Sequence, residues 1–284
     1  MKICKIMWSV NRLEYLIPTL TSTKDLVDWG EHEVYGIFID DMPNDRDDAF
    51  ITQLAKTHGY DKIILHTENN GLAKTWEETY NLIKDNDYDF IWHQEDDLTL
   101  NQKIKIDDHI RYLNSNDSCY QTVLSSQVWY SGRYEHNKEL QERLSKSIQW
   151  EGFNTIEQNA KVFKSAFSLT KYSHYMEAIG LYLDNNILGV GLNTDISCFD
   201  EDILAHIFDH YSKNVQKNYN QWAIVFYDNN NDPLSRHIGE WTWGHRTTQE
   251  YLDTYVDDGW VKRTMQEHIN NPGDRINSRT WEKL

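Results

Sequence analysis

The first hundred residues alternate between strand-like apolar runs and helix-like segments, and this alternation restricts the possible folds more than any other feature. The runs are short and rich in β-branched and aromatic residues, whereas the segments between them place apolar residues at helical spacing. The predicted strands are residues 3–10, 34–39, 62–66 and 90–93, and the predicted helices are residues 13–21, 45–58 and Leu72–Ile83. Because strands separated by helices are joined by right-handed crossovers, the sequence predicts an α/β fold with a mainly parallel sheet.

Beyond residue 100 the same two signals recur with less regularity. The predicted helices are residues 104–113, 172–183 and 203–211, and the predicted strands are residues 122–128, 162–169 and 222–227. Residues 131–159 are polar and irregular, which suits an insertion that covers a substrate. The Asn- and Asp-rich run at 228–233 is the best candidate for a boundary. We therefore expect one domain over 1–228 and a C-terminal elaboration over 229–284 that packs on it.

The acidic balance of the chain argues against a large nucleic-acid-binding surface. The net charge is −17, yet residues 211–284 carry nine basic and ten acidic side chains, so the acidic excess lies almost entirely before them. No long basic block is present to grip a phosphate backbone without regard to sequence. A local basic groove in the near-neutral last quarter stays possible.

The cysteine content and the hydropathy pattern favour a soluble cytoplasmic protein. The three cysteines, Cys4, Cys119 and Cys198, are widely spaced and suit neither a disulfide framework nor a zinc site. No apolar run reaches membrane-spanning length, and the first residues lack a signal-peptide pattern.

Three consecutive carboxylates follow the predicted strand at 90–93. Glu95, Asp96 and Asp97 would lie at the carboxyl end of a buried strand, where open α/β sheets bind their ligands. Adjacent negative charges repel one another unless a positive group lies among them, and a divalent cation with oxygen ligands is the usual solution. The alternative is a solvated acidic turn after an edge strand.

Four polar segments occur in an order that resembles the family 2 glycosyltransferases and the wider GT-A superfamily. They are Ser9-Val10-Asn11-Arg12, Asp40-Asp41, Asn69-Asn70-Gly71 with the helix start after it, and Glu95-Asp96-Asp97. The resemblance is good over about residues 3–100 and returns at the acidic run 200–202. It implies a GT-A (Rossmann-like) catalytic domain whose donor half is 1–100 and whose acceptor half is 101–228.

The resemblance implies a nucleotide-sugar site in the donor half. Asp40 or Asp41 would accept hydrogen bonds from a uracil ring or a ribose, Asn70 and Gly71 would let the backbone pass close to the nucleotide, and Lys74 would reach a phosphate. The alternatives are an Asx turn, a plain helix start and a solvated lysine. The full set implied to bind the donor is Ser9, Asn11, Arg12, Asp40, Asp41, Asn70, Gly71, Lys74 and Asp96.

The resemblance also implies Mn²⁺ or Mg²⁺ at the acidic triplet. If the strand continues past residue 93, Glu95 and Asp97 face the same side and share one cation with the diphosphate. The family usually has Asp where this chain has Glu95, so this residue would bind directly or through water. A late histidine, His237 or His245, would join the metal or the diphosphate, and Arg236 or Arg246 would pair with phosphate. The alternative for each histidine is a surface or core position.

The acceptor half is implied only by the acidic run at 200–202. Asp202, or else Glu201, would be the general base that takes the proton of the acceptor hydroxyl in an inverting displacement. The alternative is a helix N-terminus that carries acids because of its dipole. Four tryptophans could stack on sugar rings, although a core position is the default for each: Trp129, Trp150, Trp241 and Trp243.

We therefore expect a hexosyl- or pentosyltransferase that uses a nucleoside-diphosphate sugar, with UDP as the expected nucleotide, and an acceptor hydroxyl. Glycans are possible acceptors, and so are hydroxymethylated DNA bases, since the composition is similar in style to phage-encoded transferases, which would work in the host cytoplasm.

Two other functional classes stay open. A sugar nucleotidyltransferase would normally open with a Gly-rich phosphate loop, which Ser9-Val10-Asn11-Arg12 lacks. A non-catalytic nucleotide-sugar or carbohydrate-binding module would be expected to have lost its acidic pairs, and both are present.

Overall fold

The structure is a computed structural model of the chain. It describes residues 1–42, 46–68, 70, 72–117, 119–124, 148–150, 153–158, 167–183, 222–227 and 234–237. Within these ranges, no helix combines the length and the hydrophobicity that crossing a lipid bilayer requires.

Thirteen strands and five helices are present in the described ranges. The strands are β1 (Lys2–Ser9), β2 (Val27–Asp28), β3 (Glu33–Asp40), β4 (Lys62–Leu65), β5 (Phe90–Glu95), β6 (Leu98–Leu100), β7 (Ile104–Lys105), β8 (Cys119–Leu124), β9 (Ile148–Trp150), β10 (Phe153–Gln158), β11 (Ser168–Lys171), β12 (Trp222–Tyr227) and β13 (Ser235–His237). The helices are α1 (Leu13–Leu26), α2 (Asp48–Thr57), α3 (Leu72–Ile83), α4 (Ile106–Ser115) and α5 (Tyr172–Leu183).

Nine of these strands form one sheet in the order β4-β3-β1-β5-β11-β8-β12-β10-β9. The first four are parallel to one another, and β8 and β12 are also parallel. The strands β11 and β10 are antiparallel to both of their neighbours. Seven of the nine strands run in one direction, so the sheet is mixed but mainly parallel, which confirms the predicted α/β fold.

The strand order creates a crevice next to β1. From β1 the chain moves outward to β3 and β4, and it then returns across β1 to form β5. Because the crossovers keep one hand, this reversal places α1 and α2 on one face of the sheet and α3 on the other. Open α/β sheets bind ligands where the strand order reverses, outside the carboxyl ends of the strands. The carboxyl ends of β1 and β5 are therefore the place where this fold is expected to bind a ligand.

Helices cover both faces of the parallel half. On one face, Met7 and Phe38 pack with Leu16 and Leu20 of α1 and with Ile51 of α2. A second cluster on this face centres on Trp92 and the buried residues of α4. On the other face, the fully buried Trp76 of α3 and Tyr175 of α5 pack against β1 and β5. Burying a side chain of this size contributes about 1.5–3 kcal/mol, so both layers stabilise the sheet.

A small two-stranded sheet joins the C-terminal region to the acidic triplet. β13 pairs antiparallel with β6, and the register sets His237 opposite Leu98 and Arg236 opposite Thr99. The amide of Asn101 extends the contact by donating to the carbonyl of Leu234 (3.0 Å). The backbone of His237 therefore lies beside the residue that follows Asp97.

Most predicted elements are present with shifted ends. Residues 72–83, 172–183 and 222–227 have the predicted type and bounds, whereas α1 runs to Leu26 and β8 covers Cys119–Leu124. The less regular stretch at 131–159, for which the sequence indicated no element, contains the antiparallel pair β9 and β10 in its described part, and its role as an insertion that covers a substrate stays a prediction. Residues 162–166 of the predicted strand at 162–169 lie outside the described residues, and a strand is present at Ser168–Lys171. The predicted helix at 203–211 lies outside the described residues, and the predicted boundary at 228–233 stays a prediction.

Candidate functional site

The turn between β1 and α1 is the centre of the candidate site. Ser9 ends β1, and Asn11 follows with a φ of 58°, the left-handed conformation that asparagine tolerates better than most residues. The amide of Val10 donates to Asp96 Oδ2 (3.1 Å), and the amide of Asn11 donates to Asp40 Oδ2 (2.9 Å). One short turn therefore holds the carboxylates that follow both neighbouring strands.

Asp96 is bound within the protein through both of its carboxylate oxygens. Oδ2 accepts from the hydroxyl of Ser9 (3.3 Å) as well as from Val10, and Oδ1 accepts from Arg12 Nη2. Burial raises the pKa of Asp96, and the attraction of Arg12 opposes that rise. Burial disfavours the charge of Arg12, but the attraction of Asp96 and Asp97 outweighs it and raises the pKa of the guanidinium. The predicted donor-binding residues Ser9, Arg12 and Asp96 thus contact one another.

Asp97 shares the same arginine. Its Oδ2 accepts from Arg12 Nη2 (2.9 Å), so one guanidinium nitrogen links both aspartates. β5 ends at Glu95, and Asp96 and Asp97 form the turn into β6. The strand does not continue past residue 95, so strand alternation does not set the relative directions of Glu95 and Asp97.

The residues around the Asp96-Asp97 turn offer carboxylate oxygens that could bind a divalent cation, with the backbone of a histidine nearby. No cluster of three or more His, Cys, Asp or Glu residues that could hold a metal ion occurs among the residues that the structure describes. Mg²⁺ is commonly bound by one or two carboxylates together with substrate phosphates rather than by a protein cage. Glu95 and Asp97 fit that kind of donor set, and the register of β13 sets the backbone of His237 opposite Leu98, the residue that follows Asp97.

Asp40 is satisfied inside the protein. Its side chain is completely buried, and besides Asn11 it accepts hydrogen bonds at Oδ1 from the amide of Met42 (3.2 Å) and from Arg46 Nη1 (2.9 Å). Arg46 is itself almost fully buried and also donates through Nη2 to the carbonyl of His66 (2.8 Å). Asp40 therefore fixes the end of β3 to the segments around it.

Asp41 belongs to a separate polar cluster that the sequence did not reveal. His66 Nδ1 lies 2.6 Å from Asp41 Oδ1, and His66 Nε2 lies 2.5 Å from Glu78 Oε2. The amide of Asn70 also donates to Asp41 Oδ1 (2.8 Å). Sequence reasoning placed His66 at the end of a strand and assigned no role to it or to Glu78. A signal that could have found His66 is a polar residue at the carboxyl end of β4, next to the site strands.

The remaining predicted residues are dispersed or not described. Lys74 lies in the first turn of α3, is exposed and pairs with Glu77 (2.8 Å). The following lie outside the described residues: Gly71, Trp129, Glu201, Asp202, Trp241, Trp243, His245 and Arg246. Trp150, Arg236 and His237 are placed by the backbone of their strands only.

Aromatic side chains surround His93 near the carboxyl ends of β1 and β5. His93 is buried between Trp8 (ring centroids 4.2 Å apart), Trp76 (5.6 Å) and Tyr175 (6.2 Å). Burial lowers the pKa of His93 to about 3, so the ring is neutral. Trp8 is held by a hydrogen bond from Nε1 to the hydroxyl of Thr79 (3.1 Å). This rigid layer joins α3 to the strands that carry the site.

Comparison with solved structures finds low sequence identity and TM-scores below 0.5. A mannosyltransferase, PcManGT from Pyrobaculum calidifontis in complex with GDP-Man and Mn2+, aligns with a TM-score of 0.48 and 11% identity over 72% of this chain. S. aureus TarS 1-349 in complex with UDP gives 0.49 and 12% over 95% of this chain and 71% of its own length. Mouse xyloside xylosyltransferase 1 in its apo form gives 0.42 and 10% over 90% and 92%. The chain spans 50% of PcManGT and 40% of a longer TarS structure.

The family comparison is more informative. A search of curated proteins finds no match. The model of the family described as "Glycosyl transferase family 2" matches residues 5–176, which is more than half of the chain. The match begins in β1 and ends in α5, so it includes the β1–α1 turn, both aspartate pairs and the His66 cluster. The chain therefore belongs to glycosyl transferase family 2.

Proposed function

We propose that this protein transfers a sugar from a UDP-sugar to an acceptor hydroxyl by inverting displacement. The observation that carries the proposal is the convergence of four predicted segments at one edge of the sheet. The β1–α1 turn donates to Asp40 and to Asp96, and the loop before α3 reaches Asp41 through the amide of Asn70. The donor nucleotide lies in the crevice that these segments border.

Asp41 is the acceptor for the base or the ribose. A carboxylate accepts hydrogen bonds only, which suits the N–H of uracil and the ribose hydroxyls. Asp40 is less suitable because its side chain is fully buried and both of its oxygens accept hydrogen bonds from the protein. Asp41 follows it at the end of the strand, beside the loop at Asn70.

Glu95 and Asp97 would hold a divalent cation, Mn²⁺ or Mg²⁺, together with the diphosphate, and His237 would be the candidate for a further ligand. When bound, the metal acts as a Lewis acid that stabilises negative charge on the departing diphosphate. Arg12 keeps Asp96 and Asp97 close together despite their like charges. The oxygen chemistry of the two carboxylates and the position of β13 support this assignment.

The acceptor side of the proposal is carried by the resemblance alone. Asp202, with Glu201 as the second candidate, takes the proton of the acceptor hydroxyl while that oxygen attacks the anomeric carbon. The acceptor is a glycan hydroxyl, and a hydroxymethylated DNA base is the alternative that the test must separate from it.

The test is release of UDP from a panel of UDP-hexoses and UDP-pentoses with and without Mn²⁺. Transfer is then measured to glycans and to hydroxymethylcytosine DNA. We expect metal-dependent UDP release that a matching acceptor accelerates, and we expect Asp202→Asn to keep UDP binding while losing transfer. Binding of UDP without turnover for every donor and acceptor would identify a binding module instead. Unchanged transfer in Asp202→Asn would remove Asp202 from its role.

A further inference from the structure

We propose that His66 is a positioning residue that holds Asp41 for the donor nucleotide and makes donor binding dependent on pH. The proposal rests on the proposed function, because it assigns Asp41 to the nucleotide. It adds two residues, His66 and Glu78, that act through Asp41 and do not themselves touch the nucleotide.

The geometry places His66 between two carboxylates from different elements. Asp41 follows β3, His66 follows β4, and Glu78 lies in the second turn of α3. The two ring nitrogens lie 2.6 Å from Asp41 Oδ1 and 2.5 Å from Glu78 Oε2. One imidazole therefore links the ends of two strands to the helix behind them. The ring is nearly buried, with 10% of the side chain exposed, so water competes little for these contacts.

The same cluster also contacts the segment before α3, through the amide of Asn70. Asp41 Oδ1 accepts both from His66 and from the amide of Asn70, so the loop and the ring share one oxygen. A shift of the Asp41 side chain would move the loop, and a shift of the ring would move Asp41. In the proposed function both Asp41 and this loop border the nucleotide.

The charges that face His66 favour its protonated form. Burial disfavours the charge of the ring, but the hydrogen bonds and charges of Asp41 and Glu78 outweigh it and raise the pKa of His66 above its ordinary value. From the segment after β3, Arg46 contacts the carbonyl of His66 rather than the ring. On α3, Lys74 pairs with Glu77. The two groups in contact with the ring nitrogens are therefore both acidic.

Protonation decides whether both contacts exist. The imidazolium donates from both nitrogens, whereas a neutral imidazole donates from one and turns a lone pair toward the other carboxylate. As pH rises above about 6.5 and through the raised pKa, one contact is lost. Loss of either contact breaks the link from α3 through the ring to Asp41, so Asp41 is held less firmly. We therefore expect affinity for UDP to fall with rising pH over that interval.

The experiment combines titration of the His66 ring by NMR with calorimetric binding of UDP in the presence of Mg²⁺, across roughly pH 6 to 9. The key variant is Glu78→Gln, which removes one of the two facing charges and keeps the size of the side chain. The matched control is Glu77→Gln. Glu77 is the residue before Glu78 in α3, but its carboxylate pairs with Lys74. UDP has its own phosphate titration, which is common to all variants and cancels in the comparison.

We expect the midpoints of ring titration and of UDP binding to move together. Both should shift to lower pH by roughly one unit in Glu78→Gln and stay in place in Glu77→Gln. His66→Asn keeps a donor close to the position of Nδ1, so it should bind UDP at all pH values with the pH dependence removed. His66→Ala should lose roughly tenfold in affinity, the equivalent of one charge-assisted hydrogen bond.

A purely structural role of His66 would change the melting temperature of the variants without moving the binding midpoint in Glu78→Gln. That result would overturn the inference and leave the proposed function intact. UDP affinity that does not vary with pH in the wild type would do the same. Failure of the wild-type protein to bind UDP at every pH would instead overturn the assignment of UDP, and the inference with it.

Discussion

Two aspartate pairs border the candidate site, and the first aspartate of each pair makes the same kind of contact. Asp40 is the last residue of β3 and Asp41 follows it, and Asp96-Asp97 follows β5. In each pair the first aspartate is buried and accepts a backbone amide from the β1–α1 turn, Asn11 for Asp40 and Val10 for Asp96. The first member of each pair thus fastens its strand end to the central strand β1.

The pairs differ in the cations that compensate them. Arg12 contacts both Asp96 and Asp97. In the other pair, Arg46 contacts Asp40 and His66 contacts Asp41. Arginine stays charged at every physiological pH, whereas histidine titrates within that range. The two dipeptides lie at the ends of the strands that flank β1 and are identical in sequence, but their charge compensation differs. Asp96-Asp97 contacts an arginine, whereas Asp40-Asp41 contacts an arginine and a titratable histidine.

The largest expected contrast is between the second members of the two pairs. Asp97→Asn should lower kcat by roughly a thousandfold, because the site would lose a carboxylate that holds the metal and hence several kcal/mol of stabilisation in the transition state. Asp41→Asn should mainly raise the KM for the UDP-sugar, by roughly tenfold, since it loses one charged hydrogen-bond acceptor. Steady-state kinetics at saturating metal would measure both constants.

Circular dichroism and thermal melting serve as the control for these two variants, because asparagine keeps an oxygen that accepts a hydrogen bond. If Asp97→Asn raised KM and left kcat unchanged, Asp97 would be a binding residue like Asp41, and the proposed difference between the pairs would disappear.

The next contrast concerns stability and the first members of the pairs. Asp40→Ala should lower the free energy of unfolding by about 3–5 kcal/mol, because it leaves a buried arginine without one of its charged partners. Only 2% of the side chain of Arg46 is exposed, against 19% for Arg12. Asp96→Ala should therefore cost less, by about 1 kcal/mol, since Arg12 keeps Asp97 and can turn toward water. Urea denaturation would measure both values.

The exposed Asp87 provides a control for the urea experiment. It pairs with Lys2 on the surface, and its replacement by alanine should leave the unfolding midpoint near that of the wild type. Equal losses for Asp40→Ala and Asp96→Ala would show that the exposure of the arginine does not determine the cost.

The fold was predictable over the parallel half because its signals are local and strong. The stripe of Leu72, Trp76, Tyr80 and Ile83 predicts α3 with its observed bounds. The hairpin of β9 and β10 was missed, since strands this short give little periodicity and the stretch before them is polar.

The sequence indicated which polar segments meet at this edge of the sheet, but not which of their side chains contact one another. Asp-Asp after a buried run predicts carboxylates at the sheet edge, but it does not tell which aspartate turns inward, because strand alternation stops at Glu95. That choice depends on the register of β1 with β5, which sets Trp8 opposite Glu95 and so brings Val10 near Asp96. The contact of His66 with Glu78 similarly depends on how α3 packs, which no periodicity of the sequence expresses.

The smallest expected contrast is the response of the two pairs to pH, and it can be read without any ligand. The amide of Asn70 donates to Asp41, and the amide of Val10 donates to Asp96. The raised pKa of His66 stabilises the folded protein below about 6.5, and this contribution is lost as pH rises through the raised value. Hydrogen-exchange protection at Asn70, corrected for intrinsic rates, should then fall by roughly a factor of a few relative to Val10. In His66→Asn the ratio should not change with pH. A parallel fall at both amides in the wild type would mean that the two aspartate pairs respond to pH as a unit, despite their different cations.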